Sequence, residues 1–284
     1  MNNPIGANTW IWMSPPTDER LAALAPRLRD WGFNLIELPI ESPGDWDPAR
    51  TAALLNNLGL GATICAAMSP ERDLTSGDAA VVAATQAYLR HCIDAEAALG
   101  GSVVAGPIYA PVGQTGLLEE RERAARIDRL ARNLAPVAAH AAERGVRLGL
   151  EPLNRFETNL INTAAQALEV VERVDSPALG ILLDTFHMNV EEKHPAAAIR
   201  AVGRHLVHFH ACGTDRGTPG SDHTDWTAIA QALADIAYDG PVVIESFTSE
   251  NQAIATAASI WRPLAASQDE IAVQGLAFLR QLAA

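Results

Sequence analysis

Gly180-Ile181-Leu182-Leu183-Asp184 is an unbroken apolar run that ends in a single acid. Strands covered on both faces read as continuous aliphatic runs without alternation, so this one predicts a buried parallel strand. Three other segments repeat the pattern: Arg147-Leu148-Gly149-Leu150-Glu151, Leu206-Val207-His208-Phe209-His210 and Pro241-Val242-Val243-Ile244-Glu245. Outward from these four, the apolar runs predict eight strands, over residues 5–10, 34–39, 62–67, 102–107, 147–151, 179–184, 206–210 and 241–245. Between them lie segments rich in Ala, Leu, Arg and Glu at three-to-four spacing, including Asp18 to Trp31, Asp78 to Leu99 and Glu119 to Arg144, which predict amphipathic helices. Gly32, Gly59, Gly100, Gly145 and Gly240 follow helical stretches, where a left-handed cap needs no Cβ. The rhythm is that of an α/β fold, a closed (β/α)8 barrel. A doubly wound sheet would carry a Gly-rich phosphate loop after an early strand, and none is present.

The chain of 284 residues suits one such barrel, which runs to roughly 250 residues, so residues 1–284 are read as a single domain. A net charge of −13 and a pI near 5.0 exclude the basic stripe of a nucleic-acid binder and favour a small neutral substrate. Cys65, Cys92 and Cys212 are odd in number and irregularly spaced, which implies no disulfide framework and a reducing cytoplasm. No apolar run approaches the ~20 residues of a membrane span, and the start has no basic segment followed by an apolar one. From about Gln252 to Leu282, interrupted at Trp261-Arg262-Pro263, two helices broken near the proline are expected, closing the barrel bottom or meeting a partner.

In a parallel barrel the C-terminal strand ends share one mouth, where chemistry sits. Glu151, Asp184, His210 and Glu245 end strands five to eight and ring half of it. Any one acid at a strand end is ordinarily a cap or an ion-pair partner. Clustered carboxylates repel and resist desolvation, so the set makes sense with a cation. Three carboxylates and an imidazole suit one divalent ion per chain, Mn2+ foremost, with Co2+ or Mg2+ admitted. His208, two residues before His210, falls on the same face one layer deeper, as a core or supporting histidine. His91, His140, His194 and His205 fall on helical or loop patterns and are read as surface residues.

Leu150-Glu151-Pro152-Leu153-Asn154-Arg155-Phe156-Glu157, Leu183-Asp184-Thr185-Phe186-His187-Met188-Asn189, His208-Phe209-His210 with Arg216 downstream, and Glu245-Ser246-Phe247 together resemble the ketose 3-epimerases of the D-tagatose, D-allulose and L-ribulose type, within the xylose-isomerase-like barrels. The resemblance runs from the first strand to Ile260-Trp261-Arg262. It implies that the four strand-end residues are the metal ligands, that Glu157, His187 and Arg216 hold the substrate's first oxygens, and that Cys65 and Phe247 are pocket walls. In Trp10-Ile11-Trp12 a ring, assigned to Trp12, is expected to stack on the sugar's C–H face, the alternative being tryptophans that wedge the rim. Asn8 and Pro107-Ile108-Tyr109 depart from the family pattern at positions expected to line the distal wall.

Inverting C3 of a 2-ketose takes a base on one face and an acid on the other. Glu151 and Glu245 end strands three apart in the ring, on facing sides, and are assigned as that catalytic pair. The rivals are an aldose–ketose, hydroxypyruvate or inosose isomerase with the same ligands, a multi-metal phosphodiesterase of the endonuclease IV kind, for which the charge is wrong, and a sugar sensor, which needs no pair of bases. The resemblance also implies a homodimer or homotetramer acting on a small-molecule ketose.

Overall fold

Aliphatic and β-branched runs dictate the strands, and the computed structural model, which describes residues 3–283, orders them as expected. Strands β1 (Ile5–Asn8), β2 (Leu35–Ile40), β3 (Gly61–Ala66), β4 (Val103–Gly106), β5 (Arg147–Leu150), β6 (Leu179–Asp184), β7 (Leu206–Ala211) and β8 (Val242–Ile244) follow one another around a closed parallel barrel. Closure is made by β1 on β8, with Gly6 opposite Val243. The main departure from the predicted strands is at β1, which stops at Asn8. There the Asn8 side chain accepts a hydrogen bond from Trp10 N and turns Thr9–Ile11 into a 3-10 helix.

The helices are α1 (Asp18–Trp31), α2 (Pro48–Leu58), α3 (Ala79–Leu99), α4 (Glu120–Arg144), α5 (Ala164–Val174), α6 (Thr185–Glu191), α7 (Pro195–Val202), α8 (Trp226–Asp235), α9 (Gln252–Ala257) and α10 (Gln268–Ala283). Their starts are written in the sequence: Thr17, Asp47 and Asp78 cap α1, α2 and α3, and Thr163 with Gln166 forms a capping box on α5, each satisfying an otherwise orphaned backbone N–H. Gly32, Gly59, Gly100 and Gly145 take the left-handed cap. Gly240 does not: α8 ends at Asp235, and Gly240 instead makes room for the Tyr238 ring.

One large apolar cluster extends from Ile5 in β1 to Leu279 in α10, so the described residues form a single-domain barrel. The tail does form two helices about Pro263. The first, α9, places Ala253, Ile254 and Ala257 at the barrel mouth, while α10 runs beside β1 and β8, with Leu279 near Ile5 and Val242. Among the described residues, no helix is long and apolar enough to cross a membrane.

Candidate active site

Each candidate ligand is set by the strand beneath it. Gly106 ends β4 at φ 129°, where a Cβ would come within 2.7 Å of Ala66 O, so glycine is required. Its carbonyl accepts the Glu151 N–H at 3.0 Å and so aims Glu151 from the end of β5 into the mouth. Asp184 and His210 are register partners on β6 and β7, and Glu245 follows β8 directly. All four residues are at least 96 % buried, with exposures of 3 %, 0 %, 0 % and 4 % in chain order, and one donor atom from each lies within 4.8 Å of the others.

Arg216 enters this cage from the loop after β7. Its Nη1 donates to Asp184 Oδ2 at 2.6 Å and to Glu245 Oε2 at 2.9 Å, and its guanidinium lies over the rings of Phe186 and Phe247 at 4.2 and 4.7 Å. The backbone there is left-handed, φ 68°, a conformation that costs a bulky residue about 1–3 kcal/mol and collects at functional sites. His187, on α6, is held by Asn154: the backbone N–H at 3.1 Å and the side-chain amide at 2.9 Å both approach Nδ1. Two donors at Nδ1 assign the imidazole proton to Nε2, which lies 3.0 Å from Arg216 Nη2 and 3.6 Å from Glu151 Oε1. Asn154 also donates to Glu157 Oε1 at 2.7 Å.

Burial dominates the electrostatics. It raises the Glu151 carboxyl well above the usual range, and the neighbouring Glu245 charge raises it further. Burial likewise lifts Asp184, to about 6, against the opposing pull of Arg216. At Glu245 burial is outweighed by His210 and Arg216, which leave that carboxyl below its usual range.

Two buried atoms facing the cage have no hydrogen-bond partner, Glu151 Oε1 and His210 Nδ1, and they stand 3.9 Å apart. His210 Nδ1 is also 3.4 Å from Glu245 Oε2. Buried polar atoms are seldom left unpaired. A hard oxygen-and-nitrogen set with orphaned lone pairs converging on one point fits a divalent ion.

Above the cage is a cavity of about 400 Å³ lined by Glu151, Glu157, His187, Arg216, Glu245, Cys65 and Phe247, within the size range of small-molecule sites. Burial, and then the charge of Glu37, push the Cys65 thiol well above its usual range, so it is a neutral wall. The structure thus gathers the sequence-predicted residues with one correction. Trp12 is absent from the lining: the 3-10 turn after Asn8 swings it outward, where it stacks on Trp31 at 6.2 Å and donates to Asp269. Trp10 takes the place at the wall, edge-on to Phe247 and hydrogen-bonded to Glu41. Of the expected distal wall only Pro107 lines the cavity. Ile108 and Tyr109 are in the core, and Asn8 is fully buried beneath the mouth. Asn154, Glu41 and the α9 face were not singled out from sequence. Asn154 stands inside the Leu-Asn-Arg-Phe-Glu segment, and the others sit in loops or an alanine-rich tail where no periodicity marks them.

A closed parallel barrel with an acid-rich, buried mouth defines a class, and the comparisons agree. The xylose isomerase-like TIM barrel model matches residues 25–282. The ketose 3-epimerase of Arthrobacter globiformis is 34% identical over 285 residues, covering 97% of this chain and 95% of that protein. The L-ribulose 3-epimerase of Mesorhizobium japonicum is 35% identical over 277 residues, covering 97% and 92%. A solved L-ribulose 3-epimerase structure superposes with a TM-score of 0.92 at 34% identity, covering 99% of this chain and 94% of that one. The chain belongs to the ketose 3-epimerase family of xylose isomerase-like TIM barrels.

Proposed function

We propose that the protein epimerises free 2-ketoses at C3, with Glu151 and Glu245 as the acid/base pair. The observation that carries this reading is the pair of buried carboxyls on β5 and β8, three strands apart in the ring, both opening into one cavity of sugar-binding size. One glutamate removes the C3 proton, the enediolate forms, and the other returns a proton to the opposite face. The direction of reaction decides which acts first. Glu151, Asp184, His210 and Glu245 would hold the divalent ion, Mn2+ in this reading, which supplies Lewis-acid stabilisation of the charge developing on the ketose oxygens. Asp184 and His210 transfer no proton.

Arg216 and His187 orient the first oxygens of the sugar. Arg216 Nη2 and the His187 Nε2–H are two donors only 3.0 Å apart, and a substrate oxygen accepting from both relieves that conflict. Glu157, held by Asn154, accepts a hydrogen bond from a substrate hydroxyl and so helps to orient those oxygens. An unphosphorylated sugar is supported by how the arginines are engaged: Arg155 forms a two-pronged pair with Glu191 outside the cavity, Arg216 is bound to Asp184 and Glu245, and Arg72, at the cavity wall, donates to the Ala67 and Glu41 carbonyls and lies over the Tyr88 ring.

A homodimer or homotetramer in the cytoplasm completes the proposal. Leu117 and Phe156, apolar side chains 93 % and 74 % exposed on loops joined by the Gln114–Thr158 bridge, support self-association.

The test is metal-depleted protein reconstituted with Mn2+ and assayed in D2O against free ketohexoses and ketopentoses. C3 epimers labelled only at C3 are expected. Aldose as the main product would overturn the reading in favour of an aldose–ketose isomerase.

A further inference from the structure

Strand β2 reads Leu35-Ile36-Glu37-Leu38, an acid in the middle of an apolar run and wholly buried. A carboxylate in such a place is costly unless donors surround it, and here they do. Asn8 and Thr63, its register neighbours on β1 and β3, donate to Oε1 and Oε2 respectively, each at 3.0 Å. From across the barrel, β7 brings His208 Nε2 to 2.6 Å from Oε2 and His210 Nε2 to 2.8 Å from Oε1. Each carboxylate oxygen therefore faces two N–H or O–H groups. None of the proposed proton transfers uses Glu37.

We propose that Glu37 is a positioning residue for the metal cage: it fixes the tautomer and ring orientation of His210, with His208 as the buttress. This rests on the reading that the cage takes a divalent ion. A carboxylate 2.8 Å from His210 Nε2 keeps the ring proton on that nitrogen, which leaves the lone pair on Nδ1, the atom 3.4 Å from Glu245 and 3.9 Å from Glu151. The N–H points off the line to Oε1, so His210 Nε2 makes no well-aligned hydrogen bond, and the charge of Glu37 supplies most of the preference. His208 adds the orientation. Its ring meets that of His210 edge-on, centroids 4.9 Å apart at 77°, and its own contact with Glu37 is the shortest of the four. A carboxylate behind a metal-binding histidine orients it and makes it more basic, and losing such a partner typically weakens metal binding about 10–100-fold.

The experiment measures Mn2+ affinity by calorimetry, and the absorption spectrum with Co2+, on metal-depleted wild type and Glu37→Gln. The variant is expected to bind Mn2+ about 10–100-fold more weakly and to show a shifted Co2+ spectrum. Ile93→Ala, which truncates a buried side chain of α3 that does not line the cavity, controls for loss of stability alone and should lower Tm without moving affinity or spectrum. In wild-type protein, 15N NMR of the imidazoles, recorded without metal at a pH high enough for the His210 ring to be neutral, should find its one proton on Nε2, a measurement that stands even if Glu37→Gln does not fold. Equal affinity and spectrum in Glu37→Gln, an equal loss in Ile93→Ala, or a neutral His210 with its proton on Nδ1 would each overturn the inference while leaving the metal reading intact. A wild type that takes up neither ion would overturn both.

Discussion

Two buried polar clusters lie one above the other in this barrel, and they are built on opposite terms. Around Glu37, two donors approach each carboxylate oxygen, from β1, β3 and β7. In the cage above, the guanidinium of Arg216 bonds two of the three carboxylates, those of Asp184 and Glu245, and Glu151 Oε1 and His210 Nδ1 have no partner. Since burial makes an unpaired polar atom expensive, the contrast lies in the carboxylates. In the lower cluster that of Glu37 is surrounded by donors as folded, although His208 Nδ1 and His210 Nε2 lack a partner. In the upper one a carboxylate oxygen is itself unpaired, which a bound cation would relieve. His210 belongs to both, one ring nitrogen facing each.

The most severe way to break this contrast is to remove charge from the upper cluster without changing its shape. Glu151→Gln and Glu245→Gln should each lower kcat by roughly 10²–10⁴-fold, the scale of a lost general acid or base, while equilibrium binding of a ketose is largely retained. Steady-state assay and calorimetry on the same preparations check this, and full turnover in either variant would end the two-base scheme. A second test removes the guanidinium. Arg216→Ala leaves Asp184 and Glu245 without their buried partner and should destabilise the metal-free protein by ~3–5 kcal/mol, measured by urea unfolding. Saturating Mn2+ should recover much of that loss, because a ligand that binds only the folded state adds about 2.7 kcal/mol at 100 times its Kd. No rescue by the ion would mean that the upper cluster is a structural ion pair like any other.

Glu96 sharpens the comparison from outside both clusters. It is buried in α3 with Oε2 unpartnered, and burial raises its carboxyl to about 8. Its folded value thus exceeds its unfolded one, near 4.3, so the fold binds a proton that the unfolded chain releases. Stability from this group is full below the unfolded value and is lost as pH rises toward 8. Tm of the wild type should therefore fall more between pH 5 and 8 than that of Glu96→Gln, whose neutral amide mimics the protonated acid. The smallest effect separates the two tryptophans: Trp10→Ala should raise KM a few-fold, whereas Trp12→Phe should leave KM unchanged and cost ~1 kcal/mol for the lost hydrogen bond to Asp269, read from Tm and KM together.

These contrasts were unequally visible in the sequence. Asp184 and Glu245 could be placed from the chain because each closes an aliphatic run, and a parallel barrel brings all such ends to one mouth. His208 was assigned to the layer beneath by the same two-residue period. Trp12 lies away from the mouth because the Asn8 side chain bends the backbone into a 3-10 turn, which the aromatic content of Trp10-Ile11-Trp12 does not announce. Glu37 stood in plain view as a charge inside an apolar strand, but its partners are as far away as His208, 171 residues along the chain, and no local pattern joins them. The walls contributed by Glu41, Arg72 and α9 come from loops and a short tail helix, where neither period applies.

Arg216 also bears on the order in which the molecule is assembled. Already bridging Asp184 and Glu245, its guanidinium spares the newly made chain from having to gather three bare carboxylates around nothing. On the proposed metal reading the barrel would close first and acquire an ion afterwards, so the metal found in a given cell would reflect which ions are free there after synthesis, as well as which ion these ligands prefer.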